Sequence, residues 1–312
     1  MDLFQAIKAT RAIKDKSVKT YITSLKKIHE NLETSIDFDN LDWLKPINKV
    51  VSILNELKLT TRKNYTNAII VALMTEADKY KDTLTAYKEY LGKILSDYNE
   101  MVATQTKSKK ETDNWISMAD LKKIVNKHKR SVKELGLDQK DGWTKSEKQL
   151  YQMYMVGVLY TNYPPLRNDY SNMDIISEND FKKLKKKENN FLVIISRNKK
   201  YFSLSSYKTD KKFGDKIIDI DSKMNSIINK WLAHNTTGFF LVNSKNTQMS
   251  DNSLTKLLNK IFASSKKKIS STLIRHIYLT EKYSNAQSEM EEDANLMGHS
   301  VSTQQNIYVK RK

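Results

Sequence analysis

Val18, Tyr21, Ile22, Leu25, Ile28 and Leu32 stand three and four positions apart, and that step puts them on one face of an α-helix. Ser17, just ahead of them, is the expected N-cap. Val50, Ile53, Leu54 and Leu57 repeat the pattern in WLKPINKVVSILNELKL, where Pro46 suits a first helical turn. A third helix is expected in TTRKNYTNAIIVALMTEA, capped by Thr60 or Thr61, and a fourth in TLTAYKEYLGKILSDYNEMV. Residues 1–104 therefore read as an all-helical, basic domain.

Residues 105–113, within TQTKSKKETDN, have no apolar period and carry Lys107, Lys109 and Lys110. They are expected to form an exposed basic linker. The second domain, 114–312, opens with a helix capped by Ser117. A long apolar helix follows, ended by Pro164 and Pro165, two of only three prolines in the chain. Three β-like runs come next, at 191–196, 200–206 and 216–220; the last two are separated by the basic turn YKTDKKFGD. Helical spacing returns in SKMNSIINKWLAH, SDNSLTKLLNKIFASS and SSTLIRHIYLTEKYS. The expected fold class is mainly α with a small antiparallel β-sheet.

The net charge of +18 points to a polyanionic partner, with nucleic acid first. A Lys- and Asn-rich composition also follows from A/T-rich coding, so charge supports this partner without establishing it. No cysteine is present, which removes disulfides, thiolate metal sites and a cysteine nucleophile and fits a reducing intracellular compartment. No apolar run approaches the ~20 residues of a membrane span, and the first residues lack the apolar core of a signal peptide. No GxxxxGK loop is present, which argues against ATP use. Glu289, Glu291, Glu292 and Asp293 read as a solvated helix face, and the five histidines show no H-x-x-x-H spacing. No metal or cofactor is expected.

What remains is a set of cations and one tyrosine: Arg167 after the double proline, Lys208 in the basic turn, Arg275 and His276 in TLIRHIYLT, and His299 and Tyr308 in LMGHSVSTQQNIYVK. Singly, each has an ordinary structural explanation. Together, in the order Arg, Lys, Arg, His, Tyr, they resemble the tyrosine recombinase (phage integrase-like) family. LIRHIYLT looks like its R-H-x-x-x-T helix, LMGHS its L-G-H-S segment, and Tyr308 its tyrosine nine residues beyond that histidine. YPPLRNDYSNM is similar to its first-arginine motif, and YKT is placed like its lysine. The motifs span about 160 to 308, and the first domain is similar in size and pattern to the family's core-binding domain.

The resemblance implies a site-specific recombinase or integrase acting on double-stranded DNA. Arg167 and Arg275, with His299, would hold the scissile phosphate, where guanidinium groups offset the charge that builds during attack. Tyr308 would form a 3′-phosphotyrosyl bond, and Lys208 would protonate the departing 5′ oxygen. A free tyrosine has a pKa of about 10, so it needs cationic neighbours or a base. Lys211 and Lys212 share the turn with Lys208 and are alternatives to it. The family also implies a homo-oligomer, a tetramer on paired sites, and a viral or mobile-element source.

DNA contacts are expected from Thr61, Arg62 and Lys63 at a helix start, from Lys107, Lys109 and Lys110, and from Lys266, Lys267 and Lys268; their sum predicts steep salt dependence. Departures from the family pattern are Thr272 where a histidine is usual, Tyr170 where an acidic residue is frequent, and only four residues after Tyr308. Two rival readings use the same residues: a type IB topoisomerase-like enzyme, and a DNA-binding relative without catalysis.

Overall fold

The computed structural model describes residues 2–310, and the chain divides into two compact units at Lys107 and Ser108. The protein is mostly helical, with one small sheet.

The first unit holds α1 (Leu3–Thr10), α2 (Asp15–Asn31), α3 (Ile47–Asn55), α4 (Leu59–Leu73) and α5 (Lys81–Ala103). Ala68 to Leu73 of α4 are all buried, so this helix is the centre around which the others pack. Trp43, Tyr80 and Tyr87 fill the space beside it, and Tyr87 places its hydroxyl by donating to the Leu44 carbonyl at 3.0 Å. Two expected caps move. α2 begins at Asp15 after Lys14, placing a carboxylate in the first turn and Ser17 inside the helix. α4 begins at Leu59, so Thr60 and Thr61 are first-turn residues and not caps.

The second unit opens with α6 (Lys109–Asn114), where an exposed linker was expected. Ser108 and Glu111 form a reciprocal capping box that starts this helix without apolar help. α7 (Met118–Glu134) carries the expected Ser117 cap. α8 (Lys145–Asn162) has a second capping box, Thr144 with Glu147, and Tyr151 to Thr161 are buried without a break. α7 and α8 meet at Gly157. A Cβ there would lie 2.7 Å from Val125 Cγ2, and a β-branched valine has no rotamer freedom to retreat. Gly157→Ala is expected to cost about 1–3 kcal/mol in urea denaturation. Val125→Ala in the same chain should recover part of it through a coupling of about 1 kcal/mol.

The sheet is mixed, not antiparallel as the sequence led us to expect. Its strands are β1 (Met173–Ser177), β2 (Asn190–Ser196), β3 (Lys199–Leu204) and β4 (Lys216–Asp219), in that spatial order. β1 pairs parallel with β2 because α9 (Glu178–Lys183) carries the chain back to the starting end. β2–β3 and β3–β4 are antiparallel. Leu192, Phe202 and Leu204 face the main core, while Phe191 and Val193 pack with Phe181 on the other side.

The β2–β3 turn is held by a buried lysine. Lys200 is 3% exposed, and its ammonium donates to Arg197 O at 2.7 Å, Asn225 Oδ1 at 2.9 Å and Asn229 Oδ1 at 2.5 Å. Burial, then Arg197, pull its pKa below the ordinary lysine value.

The remaining helices are α10 (Asp210–Phe213), α11 (Ser222–His234), α12 (Asp251–Ile261), α13 (Ser271–Leu296) and α14 (Val301–Thr303), the last running into a π-helical turn at Gln304–Tyr308. Among the described residues no helix is long and apolar enough to cross a membrane.

Candidate active site

The double proline does what its chemistry requires: α8 stops at Asn162 and Tyr163 is extended. The turn that follows is fixed by buried polar groups. Tyr160 donates its hydroxyl to the Arg167 carbonyl, and the Arg167 N–H donates to Asp169 Oδ2 at 3.2 Å. Asn168 reaches two helices at once. Its amide nitrogen donates to Asp251 O and Thr255 Oγ1 of α12, both at 3.1 Å, and its oxygen accepts from Ser271 Oγ of α13 at 2.7 Å. Arg275 stands one turn beyond Ser271 on the same helix face. The Asn168–Ser271 bond therefore joins the Arg167 turn to the stretch of helix that presents Arg275, although 108 positions separate the two arginines in sequence.

The electrostatics record this proximity. Burial, and next the neighbouring Arg167, lower the pKa of the Arg275 guanidinium, while Asp169 and Tyr160 act the other way. Burial raises the Asp169 carboxyl against the opposing effect of the Arg167 N–H and both guanidiniums. Among the described residues neither guanidinium forms an ion pair or hydrogen bond. The result is a half-buried pair of like charges with one nearby carboxylate, an arrangement that an oxyanion would relieve.

Asp169 sets a pH dependence. Its folded pKa is raised, so its protonated form is favoured, and the cluster gains positive charge as pH falls through that raised value. Sulfate affinity is expected to increase in the same direction. Asp169→Asn should bind sulfate more tightly at neutral pH and lose the step, as followed by the NMR shifts of the arginine Nε–H groups between about pH 4 and about pH 7.

Lys208 lies exposed in the turn between β3 and α10. Its loop closes on the same scaffold through a residue the sequence reading missed. Asn190, 5% exposed at the start of β2, donates to the Asp169 carbonyl at 3.0 Å and accepts from the Ser205 and Ser206 N–H groups at 3.1 and 2.9 Å. One amide thus ties the arginine turn to the base of the lysine turn. Lys211 and Lys212 fall inside α10, and Lys212 stands 5.3 Å from the centre of the Phe213 ring. Thr272 is exposed on α13, and Tyr170 is a core residue packed edge-on against Tyr160 and Phe202.

His299 and Tyr308 are brought together, with ring centroids 5.0 Å apart. Gly298, at φ 73°, ends α13 in a Schellman motif: the His299 N–H donates to Ala294 O and the Gly298 N–H to Asn295 O. Ser300 then caps α14 and the chain folds back, so that Gln305 reaches the Met290 sulfur. His299 Nε2 is buried without a hydrogen-bond partner, whereas Tyr308 is 61% exposed. This pair is not brought to the arginines. α13 is unbroken from Ser271 to Leu296, and at about 1.5 Å per residue its Met290–Leu296 end lies roughly 20–30 Å along the axis from Arg275.

The expected DNA-contact residues fare differently. Arg62 is committed elsewhere: it donates to Leu54 O, Asn55 O and Leu57 O, capping the C-terminal end of α3. Lys63 sits 3.1 Å over the Tyr98 ring, and Thr61 lies in the first turn of α4. Lys107 precedes the unit boundary. Lys267 donates to Asp113 O at 2.6 Å, and the Lys268 N–H to Asn114 Oδ1 at 2.7 Å. These bonds, with the 2.5 Å hydrogen bond between His276 Nδ1 and Glu111 Oε1, dock α6 beside the first turns of α13. Lys109, Lys110, Lys266 and Lys268 are left exposed around that junction.

A cleft of about 1060 Å³, lined by Lys129, Lys133, Arg197, Lys223 and Lys230, contains none of the residues singled out from the sequence. Comparison with protein-family models, with curated proteins and with solved structures finds no match for this chain.

Proposed function

We propose that this protein cleaves and rejoins double-stranded DNA through a covalent bond at Tyr308, the activity that its resemblance to tyrosine recombinases implies. The observation that carries the reading is the Arg167–Arg275 pair, two half-buried arginines on segments joined by the Asn168–Ser271 hydrogen bond, whose guanidiniums repel one another and have no ion-pair partner. Such a pair suits a phosphodiester, whose charge grows on going to the pentavalent transition state.

In the reaction the Tyr308 oxygen attacks phosphorus, and a new O–P bond forms as the bond to the 5′ oxygen breaks. The phenolic proton leaves to water or to His299. The departing 5′ oxygen takes a proton from Lys208. Attack by a 5′ hydroxyl reverses these steps and frees the tyrosine. The ester retains the energy of the original bond, so rejoining consumes no nucleotide. Lys109, Lys110, Lys266 and Lys268, exposed on the second unit, give phosphate contacts.

Nicked duplexes tiled across the DNA that carries this coding sequence and its flanks test the proposal, because a nick beside the cleavage point traps the adduct. A denaturant-stable complex that shifts the DNA by the 36.3 kDa of the chain is expected, and Tyr308→Phe should remove it. No adduct on any duplex, or an equal adduct from Tyr308→Phe, refutes the assignment. One observation favours a second reading, DNA binding without cleavage: the distance along α13 that keeps Tyr308 from the arginines of its own chain. Binding without any adduct is the result that reading requires.

A further inference from the structure

The buried Lys200 network fixes a cation as well as a turn. The Arg197 carbonyl accepts three hydrogen bonds, from Lys200 Nζ at 2.7 Å, Asn229 Nδ2 at 2.8 Å and Asn225 Nδ2 at 3.0 Å. Both asparagines belong to α11, so these bonds pin the β2–β3 turn to that helix and hold Arg197 beside it. Arg197 then lines the cleft of about 1060 Å³ together with Lys223 and Lys230 of α11 and Lys129 and Lys133 of α7. Tyr151 and Tyr154 of α8, the helix that packs against both α7 and α11, line it too. Tyr151 donates to Ile227 O at 3.2 Å and so ties α8 to α11, whereas the Tyr154 hydroxyl has no hydrogen-bond partner among the described residues. Among those residues the side chains of the five cations form neither an ion pair nor a hydrogen bond. Asp138 is the one carboxylate that shares the cleft with them.

We propose that this cleft binds an oligophosphate, a short chain of phosphate groups supplied by a nucleoside triphosphate or by free polyphosphate. The inference does not depend on the cleavage reading. Tyr151 lies about 16 Å along α8 from Asn162, and Arg167 follows that end of the helix, so the cleft and the arginine pair lie toward opposite ends of α8. Like charges gathered in one concavity repel one another and focus their field on an anion that enters. A single phosphate engages two or three such cations. Lys223 and Lys230 are about 10 Å apart along α11, and with Arg197 and the α7 lysines they suit several linked phosphates. The Tyr154 hydroxyl adds a neutral donor among them. The concavity selects a compact ligand, since its volume is at the top of the range of about 300–1000 Å³ for small-molecule sites. A duplex carries its phosphates on a convex ridge and would be met by a broad face. All the donors are side chains, so no glycine-rich loop is needed, and binding alone is assigned to the cleft.

Calorimetric titration of the full chain with tripolyphosphate in about 0.15 M salt tests this. One tripolyphosphate per chain is expected, held at least about tenfold more tightly than orthophosphate. Lys223→Gln combined with Lys230→Gln should weaken it by about tenfold or more. The melting temperature should change little, because neither ammonium has a partner in the fold. Lys88→Gln combined with Lys93→Gln removes the same charge from exposed positions on α5 and should alter the affinity by less than about twofold. A nucleoside triphosphate separates the two sources: tighter binding than tripolyphosphate assigns the cleft to a nucleotide, and equal or weaker binding assigns it to the phosphate chain alone. The proposal is overturned if orthophosphate binds as tightly as tripolyphosphate, or if the α5 pair weakens binding as much as the α11 pair. Absence of tripolyphosphate binding also overturns it, and if the α11 pair then lowers the affinity for duplex DNA, this face is a nucleic-acid track instead.

Discussion

An Arg275→Ala protein is expected to lose about 10³-fold in the rate of adduct formation, equivalent to about 4 kcal/mol of transition-state stabilisation. Its affinity for the uncleaved duplex should fall by less than about fivefold, the effect of losing one phosphate contact among many. The asymmetry follows from where the guanidinium sits. It is desolvated, it is repelled by Arg167, and it has no ion-pair partner to lose. Removing it relieves the repulsion with Arg167 and leaves Arg167 beside Asp169, so the melting temperature is expected to change little. An arginine that merely supported the fold would give the opposite pattern, with melting temperature, binding and cleavage falling together. Single-turnover cleavage, anisotropy binding and thermal melting on one preparation separate the two.

The second large effect is expected at Asn190. Its amide makes three hydrogen bonds to backbone groups of two different turns, and Asn190→Ala strands all three where little water reaches them. A loss of roughly 2–4 kcal/mol is expected in urea denaturation. For a unit of this size that corresponds to a melting temperature roughly 5–15 °C lower. Cleavage should suffer beyond the loss of folded protein, because the Arg167 and Lys208 turns are no longer referred to one another. A displacement of about 1 Å at a reacting group costs on the order of 10²-fold. Asn190→Asp keeps an acceptor for Ser205 and Ser206 but cannot donate to Asp169. It should therefore destabilise by less than alanine while reproducing much of the cleavage defect. If both variants lower cleavage only in proportion to their unfolded fraction, Asn190 positions nothing.

The features legible in the sequence were those set by local chemistry. The Ser117 cap and the stop at Pro164 lie where residue type alone demands them. β2, β3 and β4 were visible as apolar runs. β1 was not, because its parallel partner is chosen by the crossover through α9, a tertiary decision. Charge misled at Arg62, whose donors are taken by α3 carbonyls that only the turn between α3 and α4 brings within reach. The linker misled for the reverse reason. It has no apolar face, yet a capping box and the contacts of Glu111, Asp113 and Asn114 with the α13 region order it. At the site, the family resemblance suggested Arg167 and Arg275 as a pair, but the sequence held no sign of Asn168, Ser271 or Asn190, the neutral side chains that do the joining. The length of α13 was not drawn from the sequence, although SNAQSEMEEDA has neither glycine nor proline to stop a helix before Gly298.

Lys200 has a practical consequence. Most amines of this lysine-rich chain face water, whereas this one is sealed behind two asparagines and a backbone carbonyl. An acylating reagent would mark exposed side chains within its first contact and reach Lys200 only when the β2–β3 turn and α11 part. Its labelling rate, read by mass spectrometry, is a built-in gauge of how often that corner of the protein opens.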